Sequence, residues 1–216
     1  MTPALEKAIA DLYGAFAQEP KPSSIDWCDC DSCAQKQNVT ILLSKPLRSL
    51  KPDELTCYAQ SVFLTLGSEA DFKYFLPRIL EILATDEGWW PSPEVVGKSI
   101  ASSDWEHFSI SQQNAISEFF KEVLNDLIEK KNGWAIDSWI CGIARGVPYL
   151  ALYLTLFEKN PPALIAFYEQ NSESLNKGGS LSNSFWDNTS PNEKLLLAWF
   201  QSDRIKDLIN ASYNLK

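Results

Sequence analysis

Histidine is almost missing from this chain. In 216 residues there is one, His107. Any Ser/His/Asp or Cys/His catalytic set would have to be built on it. It lies in Asp104-Trp105-Glu106-His107-Phe108, an aromatic stretch near a helix end, and reads as a packed or surface histidine. Clustered basic residues are missing too: 19 Lys and Arg face 28 Asp and Glu, a formal net charge of −9. That balance argues against a protein that grips a phosphate backbone, and it permits electrostatic steering toward a basic partner. There is no Gly-rich phosphate loop and no H-E-x-x-H pair. The most apolar stretch, 147–157, is too short to span a bilayer. The first 19 residues lack the basic start and unbroken apolar centre of a secretory signal. We therefore expect a cytoplasmic protein with no membrane and no nucleic-acid partner. β-branched runs are scarce: Val39-Thr40-Ile41-Leu42-Leu43 is the one worth naming, as a strand or as an apolar entry to the next helix. A single strand makes no sheet.

What remains is helical. Thr2-Pro3, Lys51-Pro52, Ser92-Pro93, Asn160-Pro161 and Ser190-Pro191 each put proline where a helix can begin, because its missing N–H would have had no intrahelical partner. Ser190 with Glu193 also fits a capping box. Between these starts the apolar residues recur with a helical period. Leu55, Tyr58, Ala59, Val62, Phe63 and Leu66 share one face, with Gly67 as the expected C-terminal cap. Ile116, Phe119, Phe120, Val123, Leu124 and Leu127 mark the longest helix, over 111–131. Phe72 to Leu83 forms another, in which Pro77 is expected to kink or split the helix near Phe75. No internal repeat stands out. The expected fold is all-α: an irregular multi-helix bundle or stacked helical hairpins of about nine to ten helices, solenoid-like at most, in one domain over 1–216. A cysteine-containing loop is expected at 27–36. Aromatic residues make up 12% of the chain, including eight Trp, which predicts a packed core. Trp89, Trp90, Trp105 and Trp134 read as core or as interface, with core favoured.

Three of the five cysteines, Cys28, Cys30 and Cys33, crowd into six residues. In a reducing compartment such thiols are metal ligands or free thiols sooner than disulfides. A tetrahedral zinc site takes four ligands. Cys57 is the favoured fourth; Asp29, Asp31, His107, Cys141 and water are alternatives. Structural zinc is the cofactor this spacing suggests. A redox pair fits less well, since Asp29 and Asp31 would raise a thiol pKa and dull its nucleophilicity. Cysteines merely present in a loop stay open as a reading. Arg78 reads as an i, i+3 ion pair with Glu81, or as an anchor for a partner's carboxylate.

The order of features is a cysteine cluster, then P-L-x-x-L-x-x-D-x-L-x-x-Y-A-x-x-x-x-x-T-x-G, then D-F-x-x-F-L-P-R-I-L-E. It is carried by Pro46, Leu47, Leu50, Asp53, Leu55, Tyr58, Ala59, Thr65, Gly67, Asp71, Phe72, Phe75, Leu76, Pro77, Arg78 and Glu81. In this it resembles a group of uncharacterised bacterial proteins, found notably in actinomycetes. The resemblance covers 27–125 and implies that the cysteine cluster and the Phe-Leu-Pro-Arg segment belong to one module; it brings no activity and no catalytic residue. The functional expectation is a non-enzymatic, acidic protein-binding protein, one concrete form being an immunity-type inhibitor of a toxin domain. The alternative is a structural or scaffold protein with a zinc-stabilised N-terminal loop, and the least favoured is a metal-dependent hydrolase.

Overall fold

A computed structural model describes residues 1–26, 36–186 and 190–214. These residues form eleven α-helices and no strand: α1 (Pro3–Ala15), α2 (Lys36–Ser44), α3 (Pro52–Ser61), α4 (Glu69–Thr85), α5 (Pro93–Ser102), α6 (Ile110–Lys130), α7 (Gly133–Gly146), α8 (Leu150–Glu158), α9 (Pro161–Gly178), α10 (Pro191–Gln201) and α11 (Asp203–Asn214). All five proline starts open helices, with proline in the first turn of α1, α3, α5, α9 and α10. Side chains close several of these ends: Thr2 Oγ1 accepts from the Leu5 N–H at 3.3 Å, and Ser190 Oγ from the Glu193 N–H at 3.1 Å.

The centre of the bundle is α7. Every residue from Ile136 to Ala144 is buried, as expected of a helix covered on all sides. It packs against α5, α6, α8, α9 and α10. A solenoid repeat touches only its neighbours in sequence, so this is an irregular bundle. One continuous apolar cluster runs from Leu5 on α1 to Ile209 on α11. The closest crossing is between α5 and α7. A Cβ added to Gly97 would lie 2.0 Å from the Gly142 carbonyl oxygen, and one added to Gly142 would lie 2.4 Å from that of Pro93. The two backbones therefore meet with no side chain between them.

Three local expectations are corrected. The helix through Leu55 stops at Ser61, not at Leu66. Phe63 then takes a left-handed conformation (φ 64°), and its N–H reaches the Leu66 carbonyl at 2.9 Å. Gly67, also left-handed (φ 72°), does not cap α3 but precedes Ser68, the N-cap of α4, and its N–H donates to the Asp26 carbonyl at 2.8 Å. Pro77 does not split its helix. α4 continues from Glu69 to Thr85 with Pro77 buried among Phe72, Phe75, Leu76, Ile79 and Leu80; burial of that face offsets a cost of about 3 kcal/mol for an interior proline. The Val39–Leu43 run is helical, as part of α2.

The α5–α7 crossing predicts opposite signs for two glycine substitutions. Gly97→Ala forces backbone apart and is expected to destabilise by roughly 1–3 kcal/mol. Gly14→Ala, on α1 with open space around its Cβ, is expected to stabilise by about 0.5–1 kcal/mol. Urea unfolding at unchanged slope measures both; a neutral Gly97→Ala refutes the close-contact account.

Candidate functional site

Of the four residues proposed as metal ligands, Cys28, Cys30 and Cys33 lie outside the described residues. Cys57 sits on α3 as a half-buried free thiol. Cys141 has no accessible surface in the middle of α7. Burial first, and then the nearby Glu94 carboxylate, push its thiol well above the ordinary range, so it is neither a ready ligand nor a nucleophile. Among the described residues no group of three or more His, Cys, Asp and Glu side chains is arranged to hold a metal ion.

His107 is on the surface, in a 3-10 turn at Trp105–His107. Its Nδ1 is 3.4 Å from Glu69 Oε2 and its Nε2 is 3.6 Å from Asp104 Oδ2. The surface reading holds for it. Arg78 pairs with Glu81 as expected, Nη1 to Oε2 at 2.7 Å. It does more than the spacing indicated: Nε and Nη2 both donate to the Leu50 carbonyl, at 2.9 and 2.7 Å. Glu81 in turn accepts from the Tyr13 hydroxyl at 2.5 Å, and the Arg48 guanidinium lies 4.0 Å from the Tyr13 ring centre. This network ties α1, α4 and the turn at Leu47–Ser49 together and is fully used internally.

Two other places hold chemistry. The first is a cleft of about 100 Å³ where the C-terminal ends of α4 and α6 meet the N-terminal ends of α5 and α7. One water needs about 10–15 Å³ of such space, so a side-chain head fits. Trp89, Trp134 and Trp139 form its walls, and Asp86, Glu87 and Asp126 supply acid. Trp134 is 65% exposed at the rim; Trp139 is 6% exposed and packs edge-on against Phe119 and Phe120. The Trp89 N–H donates to the Pro52 carbonyl and to Thr56 Oγ1, both at 2.9 Å, which fixes its ring. Trp90, beside it in sequence, is 50% exposed, its N–H donating to Gln60 Oε1 at 2.9 Å. The expectation that these tryptophans are core is therefore corrected for Trp90 and Trp134. The reason is their place at a loop and a helix start, where about half or more of each side chain stays exposed among the described residues.

The second place is a buried polar cluster under the segment 179–186. Glu94 on α5, Asp137 on α7 and Asn171 on α9 are all buried. Asn183 Nδ2 donates to Glu94 Oε1, and Asn171 Nδ2 to Asp137 Oδ1, both at 2.7 Å. Asn171 Oδ1 accepts from the Ser182 N–H at 2.9 Å. Glu94 Oε2 has no hydrogen-bond partner among the described residues. These contacts pin the 179–186 segment to α5 and α9, and through Asn171 to α7. The sequence hid the cluster: Glu94 reads as a first-turn acid after Pro93, and only Asp137, set inside Trp134-Ala135-Ile136-Asp137-Ser138-Trp139, breaks an apolar run visibly.

Comparison with protein-family models, with curated proteins and with solved structures returned no match.

Burial is the main cause that raises the Asp137 pKa above its usual value of 3.8, and the Glu94 charge adds to it, against the lowering by Asn171 and Asn183. A carboxyl whose folded pKa is raised holds its proton more tightly when folded. Its contribution is then greatest at low pH and is lost as pH climbs from 3.8 through the raised value. Asp137→Asn keeps the acceptor for Asn171. It is expected to be at least as stable as the parent at pH 7 and to flatten the fall in stability with rising pH, as read by urea unfolding across pH. An unchanged pH slope in the variant eliminates Asp137 as the source.

Proposed function

We propose that this chain is a non-enzymatic acidic protein that acts by binding another protein, in the manner of an immunity-type inhibitor that covers the working surface of a basic toxin domain. The observation that carries this reading is the exposure of Trp134 at the rim of an acid-lined cleft, with Trp90 exposed beside the fixed Trp89. Indoles are costly to leave in water and are enriched among the few residues that dominate interface energies. A net charge of −9 adds steering toward a basic partner and a salt-dependent association rate. No helix among the described residues is long and apolar enough to cross a membrane.

The test is co-expression with the products of the neighbouring genes, any basic protein among them first, followed by size-exclusion chromatography. Co-elution is expected, weakening with salt. Trp134→Ala with unchanged far-ultraviolet circular dichroism is expected to cost about 2 kcal/mol of affinity, roughly thirtyfold. A chain that stays alone at low salt counts against the reading.

One observation favours the scaffold reading with structural zinc. α2 begins at Lys36, three residues after Cys33, and packs against α3, which carries the free Cys57. The helix that follows the cysteine segment in sequence is thus a direct neighbour of the helix that carries the fourth proposed ligand. Metal analysis of protein purified without added zinc is expected to find about one zinc per chain, lost together with thermal stability in Cys30→Ser and in Cys57→Ser. Absence of metal, with both variants as stable as the parent, rejects a zinc site of Cys28, Cys30, Cys33 and Cys57.

A further inference from the structure

We propose that the tryptophan cleft is a receptor for a guanidinium group, an arginine side chain of the partner protein; the inference rests on the protein-binding reading and specifies how the partner is held. The side chains point to a cation. Asp86, Glu87 and Asp126 open onto the cleft, and the indole faces carry negative quadrupole charge. The helix ends do not decide the sign, since two C-termini and two N-termini converge there and offset one another.

The cleft already holds a cation of its own. Lys130 Nζ lies 3.0 Å from Asp126 Oδ2 and 3.5 Å from Glu87 Oε1, and its ammonium is held above the usual lysine range mainly by Asp126. Asp126 is further engaged by the Thr2 N–H at 3.1 Å and the Met1 amino group at 3.9 Å. Glu87 is different: its side chain is 79% exposed and, among the described residues, meets only Lys130, which is itself 46% exposed. The Asp86 carboxylate accepts one hydrogen bond, a long one of 3.3 Å from the Gly88 N–H. Two adjacent carboxylates at the mouth thus have acceptor capacity to spare.

The shape selects guanidinium over ammonium. The Trp89 ring is held by its own N–H bonds and lines the cleft together with the exposed Trp134. A planar guanidinium stacks on indoles and forks to two carboxylate oxygens, whereas an ammonium is a compact point charge that does neither. A partner's arginine entering here displaces Lys130 from Glu87 and leaves it on Asp126.

The test titrates the full chain with argininamide, following tryptophan fluorescence and heat, with citrullinamide as the uncharged control. Saturable binding of argininamide alone is expected, weakening with salt. Trp134→Ala should weaken it about two- to fivefold through loss of the cation–π face. Lys130→Ala should strengthen it about two- to fivefold, because the competing resident cation is gone; a purely structural Lys130 would not do this. Equal binding of the uncharged control, or no gain in Lys130→Ala, overturns the proposal. If argininamide fails while the basic partner still co-elutes and Trp134→Ala still breaks that complex, this inference falls and the protein-binding reading stands. If argininamide behaves as expected but no basic protein binds, the protein-binding reading falls and with it the assignment of the cleft to a partner's arginine.

Discussion

The bundle depends on one close approach. Where α5 crosses α7 at Gly97 and Gly142, backbone lies against backbone, and no rotamer change can adjust the spacing. Packed interiors relax only partially around a misfit. The position of α5 is therefore set by α7, which is buried on every side. The consequences spread from there. The start of α5 brings Ser92 and Pro93 to the tryptophan cleft and Glu94 to the buried cluster; the start of α7 brings Trp134 to the first and Asp137 to the second. Both chemically distinctive places are thus made by the same pair of helices, one turn apart.

They differ in how their polar groups are satisfied. In the buried cluster the amides of Asn171 and Asn183 meet two carboxylates away from water, where an unpaired charge is costly and an amide donor offsets only part of that cost. That arrangement favours one position of the 179–186 segment over others. In the cleft Asp86 and Glu87 face solvent, and Glu87 shares one lysine with the buried Asp126. Groups left with acceptor capacity beside exposed aromatic faces are what recognition requires.

Much of the fold was legible in the order of residues. The five proline starts opened five helices, the capping serine at 190 worked as its spacing indicated, and the period through Ile116 and Phe119 located α6 to within one residue at each end. Errors came where a local signal had two meanings. Gly67 is left-handed as expected of a cap, but it serves the helix that follows. Pro77 breaks helices in general, yet a face of Phe and Leu side chains holds α4 together around it. The functional places were harder to see. Trp134 and Trp139 both stand in one apolar run, and only the packing of α6 against Trp139 separates the buried second from the exposed first. Acidic residues are normally solvated, so nothing local marks Glu94 as buried. The cysteine segment, the most conspicuous pattern in the chain, lies outside the described residues at 28, 30 and 33.

The cleft is bounded by the last turns of α4 and α6 and the first turns of α5 and α7. Helix ends fray first, because their backbone groups lack intrahelical partners. A body seated there touches four such ends at once and must be expelled before any of them opens. Occupancy would slow amide hydrogen exchange at four separated stretches of the chain in step, between residues 83 and 139, while α10 and α11, which do not line the cleft, kept their own rates. The cleft and the stability of the bundle are in this way coupled through helix ends.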